Sequence, residues 1–305
     1  MDIILGLAVN VLEEGFIYGI MAVGVYITYR VLGFPDLSVD GTFPLGACVT
    51  AALITFGADP WLACLAAFVC GAAAGCLTGF LHVKLGITDL LSGILVMTGL
   101  WSVNLVITKG SAVMPFYDKN TIFNSGFSGL LAGGLPENYR VVVIAAVSCA
   151  LVKLLLDGYL KTKSGLLLRA SGDNAQYVTS LGRNPGTMKV IGLAIGNGCT
   201  ALAGSILSQQ TESASVASGT GMVVMALASV IIGTNLFRKI KWMKATTAAI
   251  LGAVIYKACL VIAMQLGLPT NYLKLLMAVL FTVALISNNM FTGRGKKQNV
   301  NPTQI

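Results

Sequence analysis

Residues able to do bond chemistry are few in this chain. The single histidine, His82, stands near Lys84 at the end of an apolar run and reads as a solvated interfacial side chain. With one histidine, no Ser/His/Asp or Cys/His set can be assembled. The seven cysteines, Cys48, Cys64, Cys70, Cys76, Cys149, Cys199 and Cys259, all fall inside apolar runs and form no CxxC pair. They read as small packing residues. No HExxH motif and no GxxxxGK[ST] phosphate loop occurs, and GRGKK at residues 293–297 has the wrong spacing for one. The expectation is a chain with no catalytic residue, no metal and no cofactor of its own. Any work it does must draw on another polypeptide or on an ion gradient.

What remains are ionisable residues inside apolar segments, which point to function by default. Glu13 and Glu14 interrupt the first apolar run, and Lys257 lies beside Tyr256 in a later one. The glutamates read either as an interfacial pair at a helix start or as an outer mouth that attracts ammonium-bearing solutes. Lys257 either faces a water-filled path or a partner subunit, or pairs with a carboxylate or backbone carbonyls. The third group lies in VLGFPDLSVDGTFPLGACVTA, residues 31–51, which carries Asp36, Ser38 and Asp40 among two prolines and three glycines.

The elements that must position these residues are membrane helices. Of 305 residues, 56% are hydrophobic and 10% charged, against about 25% charged in a soluble domain, and the mean hydropathy is +0.82. The fold expected is an all-α polytopic membrane protein of about 8–10 helices, a crossing needing about 20 apolar residues. Nine runs qualify: residues 3–29, 42–56, 61–83, 90–107, 141–156, 190–207, 222–237, 245–266 and 272–290. They make one transmembrane domain over residues 1–290, followed by a basic cytoplasmic tail at 291–305. No basic n-region or cleavage site precedes the first run, so it is expected to be retained. Nine alternating helices place 14 of the 20 Lys and Arg on one side and three on the other. The positive-inside rule then puts the N-terminus outside and the C-terminus in the cytoplasm. The net charge of +8 reports those loops rather than affinity for nucleic acid.

Two loops are long. The outer one, residues 108–140, holds a weakly apolar stretch, Phe127 to Leu135, expected to form a short surface or re-entrant helix. The inner one, residues 157–189, offers Ser171 as an N-cap, Asp173 in a first helical turn, a short helix over Asn174 to Leu181, a stop at Gly182 and a barrier at Pro185. A short capped helix between Arg169 and Arg183 is suited to docking in a partner's groove. In residues 31–51, Pro35 disfavours helix at Phe34. Leu37 to Gly41 is then extended or turned, with a new helix opening near Thr42 and Pro44 in its first turn. Ser215 to Thr220, ahead of Met222, has a loosely similar polar-then-helix design. Two helix breaks in different halves of a transporter point to its path. Asp36, Ser38 and Asp40 then line the path or brace its inner gate. Alternatively the aspartates sit in a cytoplasmic loop, where the nine-helix count formally puts them.

The inner loop also carries a resemblance. Gly165 to Ser208 resembles the signature region of permease subunits of ATP-binding-cassette importers, in the branched-chain amino acid and ribose permease superfamily. Gly165, Arg169, Ala170, Asn174, Leu181, Gly182, Ala203 and Gly204 supply the pattern in order, and MVVMALASVIIGTNLF resembles the next helix, ending in Gly233. Weaker similarity covers residues 9–51. The resemblance implies that Asp173 to Leu181 is a coupling helix that docks on an ATPase. It implies partner ATP-binding-cassette subunits, an extracytoplasmic solute-binding protein, a second permease copy and a place in the bacterial inner membrane. The superfamily that the chain resembles handles amino acids, pentoses and nucleosides, and PDLSVDGTF resembles a subgroup associated with uptake of amino acids, aromatic ones such as tryptophan or tyrosine among them. The rival reading is an ion-coupled secondary transporter, disfavoured by the scarcity of carboxylates within spans.

Overall fold

The computed structural model describes residues 2–124, 137–238, 240, 242–269 and 272–293. Eleven α-helices dominate the described residues: α1 Asp2–Val25, α2 Val39–Thr55, α3 Pro60–Leu85, α4 Asp89–Ile107, α5 Glu137–Tyr159, α6 Lys163–Asp173, α7 Ala175–Ser180, α8 Pro185–Gln210, α9 Met222–Leu236, α10 Ala245–Gln265 and α11 Leu273–Gly293. A π-helical stretch, Tyr26–Val31, extends α1. Two short strands, β1 Val113–Pro115 and β2 Ser213–Ser215, pair antiparallel with Met114 opposite Ala214. All nine apolar runs fall on helices. Seven helical segments are long and apolar enough to cross a membrane, and α2 and α11 are shorter apolar helices. The weakly apolar stretch Phe127 to Leu135 lies outside the described residues.

α8 is the central element. Its most apolar stretch is 67% buried, against 22% for α4 at the rim. Helices in lipid gain little from burying apolar surface against each other, so close approach through small residues decides which of them pack. α3 runs antiparallel to α8, with Gly75 against the Leu193 carbonyl and Gly79 facing Val190. α1 is also antiparallel to it, with Gly24 facing Gly196. α2 runs parallel to α8, with Gly204 set directly on the Phe43 carbonyl. A second layer joins α1 to α10 through Gly15 and Val254, and α9 to α10 through Gly233 and Ala248.

These directions gather one set of basic residues at one end of the bundle. Gly186 touches Val83, Gly172 backs onto Val31, and Lys244 reaches Asp157 at 2.9 Å. Arg30, Lys84, Lys161, Arg169 and Lys244 therefore share an end, called here the basic end. The β1–β2 pair and Arg140 lie at the other. His82 is not the solvated side chain expected. Its Nδ1 lies 2.9 Å from the Ile87 carbonyl, Lys189 Nζ lies 3.2 Å from its Nε2, and Phe34 packs edge-on at 5.1 Å. A neutral ring donating from Nδ1 and accepting at Nε2 satisfies both contacts.

The inner loop also departs from expectation. It holds two helices instead of one, because Thr162 supplies an earlier N-cap, its hydroxyl accepting from the Gly165 N–H. Ser171 consequently lies near the end of α6 and donates to the Pro185 carbonyl, so it caps nothing. Asp173 is the last residue of α6 rather than part of a first turn. The cap of the second helix, α7, is Asn174, whose Oδ1 accepts from the N–H groups of Gln176 and Tyr177 at 3.0 and 3.2 Å. Gly182 does take the left-handed conformation, at φ +70°, and Pro185 opens α8 at its first position.

Candidate functional site

Residues 32–38 form the first helix break. The chain leaves the π-helical end of α1 through Gly33 at φ +67°. The Phe34 N–H returns to the Thr28 carbonyl at 2.8 Å, and Pro35 brings no N–H. α2 then begins at Val39, earlier than the sequence suggests, so Pro44 lies inside the helix rather than in its first turn. Asp36 and Ser38 are buried, 4% and 0% exposed, while Gly33 between α1 and α2 is exposed. Non-helical backbone at this depth requires protein cover or a cavity.

The cover is a polar network centred on Asn197, the thirteenth residue of the 26 in α8. Asn197 Nδ2 donates to Asp36 Oδ2 at 2.6 Å. Ser38 Oγ lies 2.6 Å from Asp36 Oδ1 and 3.1 Å from Asn197 Oδ1. Thr42 Oγ1 lies 2.8 Å from Asn197 Oδ1, and the Ser38 N–H also donates to Asp36 Oδ1. From the other side, Asn104 of α4 donates to the Gly41 carbonyl at 3.2 Å. α2 therefore starts level with the middle of α8 and runs away from the basic end.

The second break is residues 211–221. After α8 ends, β2 and a 3₁₀ turn, Val216–Gly219, lead back to α9. The cap of α9 comes from the first break: Asp40 accepts from the Gly221 N–H at 3.1 Å and the Val223 N–H at 2.8 Å. Pro44 leaves the Asp40 carbonyl without its usual helical donor, and Gly219 sits directly against that oxygen, where a Cβ has no room. α9 runs from here toward the basic end, its Ser229 and Gly233 packing on Gly252 and Ala248 of α10. Two part-length helices thus open at one junction and point in opposite directions, with a carboxylate answering the positive end of α9.

The glutamates and Lys257 occupy a separate place. Glu14 forms an ion pair with Lys257, whose Nζ also lies 5.9 Å from the centre of the Tyr18 ring. This is the carboxylate-paired arrangement for Lys257. Glu13 turns the other way and accepts from Gln210 Nε2 at 3.0 Å. The structure does not bring Glu13, Glu14 or Lys257 to the Asp36–Asp40 junction.

At the basic end, α7 is offered to solvent. Tyr177 is 57% and Leu181 53% exposed, while Val178 beneath them is fully buried. Gly165 holds α6 against Tyr159 and Leu160, and Arg169 lines a cavity of about 300 Å³ with Tyr26, Asp157, Lys161 and Lys244. Among the described residues, no group of three or more His, Cys, Asp or Glu side chains is placed to hold a metal ion.

Sequence reading missed Asn197, Asn104, Gln209 and Asp157 as organising residues. Gln209 is buried, takes the Ile122 N–H at 2.9 Å and donates to Cys64 Sγ at 3.1 Å. Asp157 collects Lys153, Lys244 and Thr246. The available signal was an amide or carboxylate inside an otherwise apolar helix, which in lipid must find a partner.

Comparison with known proteins places this geometry. The family model described as branched-chain amino acid transport system / permease component matches residues 7–285. The tyrosine transport system permease protein of Clostridioides difficile (strain R20291) is 41% identical over 92% of this chain and 91% of its own. The ribose import permease protein RbsC of Escherichia coli (strain K12) is 28% identical over 73% of this chain and 68% of its own. The inner membrane ABC transporter permease protein YjfF of the same strain is 28% identical over 74% of this chain and 67% of its own. No solved structure matches the chain significantly. A polytopic helical bundle whose family match covers nearly its whole length, this chain belongs to the branched-chain amino acid transport system permease family.

Proposed function

We propose that this chain is the membrane subunit of an ATP-driven importer for an amino acid, with tyrosine or another aromatic amino acid as the first candidate. The observation that supports it most is the 41% identity to a tyrosine system permease over 92% of the chain. The exposed Tyr177 and Leu181 on a short, doubly capped helix supply a surface suited to an ATPase groove. In this reading the basic end faces the cytoplasm and the N-terminus faces outward, as the charge distribution favours. Two copies of the chain work with two ATPases and an extracytoplasmic binding protein, and the chain itself makes and breaks no bonds. ATP binding draws the docked α6–α7 segments together, and the helices that open at the Asp36–Asp40 junction swing to expose the solute to the other side.

The direct test pairs the chain with the solute-binding protein that associates with it. That binding protein is expected to melt at higher temperature with tyrosine, because a ligand that binds only the native state stabilises it. Proteoliposomes holding the complete assembly are expected to accumulate tyrosine only with ATP inside the ATPase compartment. Accumulation driven by a proton or sodium gradient without ATP would establish the ion-coupled alternative instead.

The docking role makes a prediction at Gly182. Its φ of +70° costs a side chain about 1–2 kcal/mol, and more for a β-branched residue. Nothing lies within 4 Å of the position a Cβ would take, so Gly182→Val is expected to strain the end of α7 and leave the bundle intact. Uptake should fall at least about fivefold while membrane insertion is kept. Unchanged uptake with unchanged ATPase association would remove the docking assignment.

A further inference from the structure

At the end opposite α6 and α7, a cavity of about 410 Å³ opens between α1, the 121–124 turn, the start of α5 and the end of α8. Its size falls in the range of roughly 300–1,000 Å³ usual for small-molecule pockets. Its charged lining consists of Glu13, Arg140 and Glu212. These opposite charges do not neutralise one another, for the three side chains form no ion pair with each other at 4 Å or closer.

Two polar atoms in this lining are buried and without a partner among the described residues: Nε of Arg140 and Oε1 of Gln210. Both atoms have essentially no surface open to water and stand behind the cavity wall, so the charged residues that line the cavity, Glu13, Arg140 and Glu212, carry its recognition chemistry. The neighbouring amide is already used. Gln209 is occupied by Ile122 and Cys64, and Gln210 spends its N–H on Glu13. Glu212 adds a local signature. It holds a left-handed backbone, φ +48°, uncommon outside glycine, while its carbonyl accepts from the Phe116 N–H at 3.0 Å. Strained backbone of this kind clusters at ligand-binding positions.

From this arrangement we infer that the cavity is a binding site for the zwitterionic head of an α-amino acid on the permease itself. The guanidinium of Arg140 takes the carboxylate, the geometry in which arginine binds best. Glu13 and Glu212 take the ammonium. The inference rests on the amino acid reading above and deepens it: a sugar or nucleoside offers no such pair of charges.

The test uses the complete permease–ATPase assembly in nanodiscs without the binding protein, and measures binding of radiolabelled tyrosine. The competitors are tyramine, which lacks the carboxylate, and 3-(4-hydroxyphenyl)propionate, which lacks the ammonium. Wild-type assembly is expected to bind tyrosine about tenfold or more better than either, the effect of one lost charge-assisted contact. Arg140→Gln is expected to erase the preference over tyramine, and Arg140→Lys to restore part of it. Glu13→Gln with Glu212→Gln is expected to erase the preference over the propionate. Unchanged preferences in assembled Arg140→Gln protein overturn the inference, as does a wild type that binds all three probes equally or none. If Arg140→Gln does not assemble, the glutamate pair decides the question alone. Failure here with tyrosine uptake intact refutes only the site, whereas loss of uptake by wild-type assembly with its binding protein refutes the importer reading.

Discussion

Replacing Asn197 by leucine is expected to destabilise the protein by about 3 kcal/mol, because the change strands a buried carboxylate oxygen. Asp36 Oδ2 loses its 2.6 Å donor, while Thr42 keeps the Ser38 carbonyl as an acceptor at 2.9 Å. No water reaches them, since Asn197, Ser38 and Thr42 are fully buried. A fitting control lies one turn away. Thr200 is equally buried, but its hydroxyl is satisfied within its own helix by the Gly196 carbonyl at 3.0 Å. Thr200→Val replaces the hydroxyl by a methyl of nearly equal volume and is expected to cost about 1 kcal/mol or less. Unfolding of the detergent-purified protein by heat or denaturant measures both. A difference of under about 1 kcal/mol between the two variants would show that the network does not hold the first break in place. The double variant Asp36→Leu with Asn197→Leu should cost less than the two singles together, since removing both partners leaves less unpaired.

Much of this architecture is legible in the sequence, and the reason lies in the lipid environment. An apolar run long enough to cross must be helical, because no other local structure satisfies its backbone. All nine runs accordingly fall on helices. Gly182 and Pro185 act through backbone dihedrals alone, so the end of α7 and the start of α8 are readable without tertiary knowledge. The start of α7 is less so. Ser171 and Asn174 are both competent caps three residues apart, and the choice between them follows from Thr162 having already opened a helix upstream. The fate of Asp36 and Asp40 is not local at all. Their partners, Asn197 and the Gly221–Val223 backbone, are more than 150 residues away in sequence. A sequence shows that such carboxylates need partners, and only the packing of α2 between α8 and α9 shows which ones. The same holds for Glu14 and Lys257, separated by 243 positions.

Asp40 ties the two breaks together, and its removal is expected to separate loss of stability from loss of transport. Asp40→Ala takes away the two carboxylate acceptors of backbone N–H groups at a helix start that its own N-cap residue, Gly221, leaves without a side-chain cap. The cost expected is about 2–3 kcal/mol, combining a lost cap with two hydrogen bonds to a charged group. Asp40→Asn keeps an oxygen in place and is expected to cost about 1 kcal/mol. The functional consequence follows from direction. α2 and α9 lead from the junction toward opposite ends of the bundle, so a displacement of one reaches the other through Asp40, Gly219 and Pro44. Uptake per folded assembly is therefore expected to drop at least tenfold in Asp40→Ala, while ATP hydrolysis persists, because α7, the surface proposed above to dock an ATPase, is untouched. Gly219→Val should have the same uncoupling effect from the other side, since its side chain would drive the two segments apart. Equal uptake per folded molecule in wild type and Asp40→Ala would mean that the junction is scaffold alone, and that the moving parts of the permease lie elsewhere in the bundle.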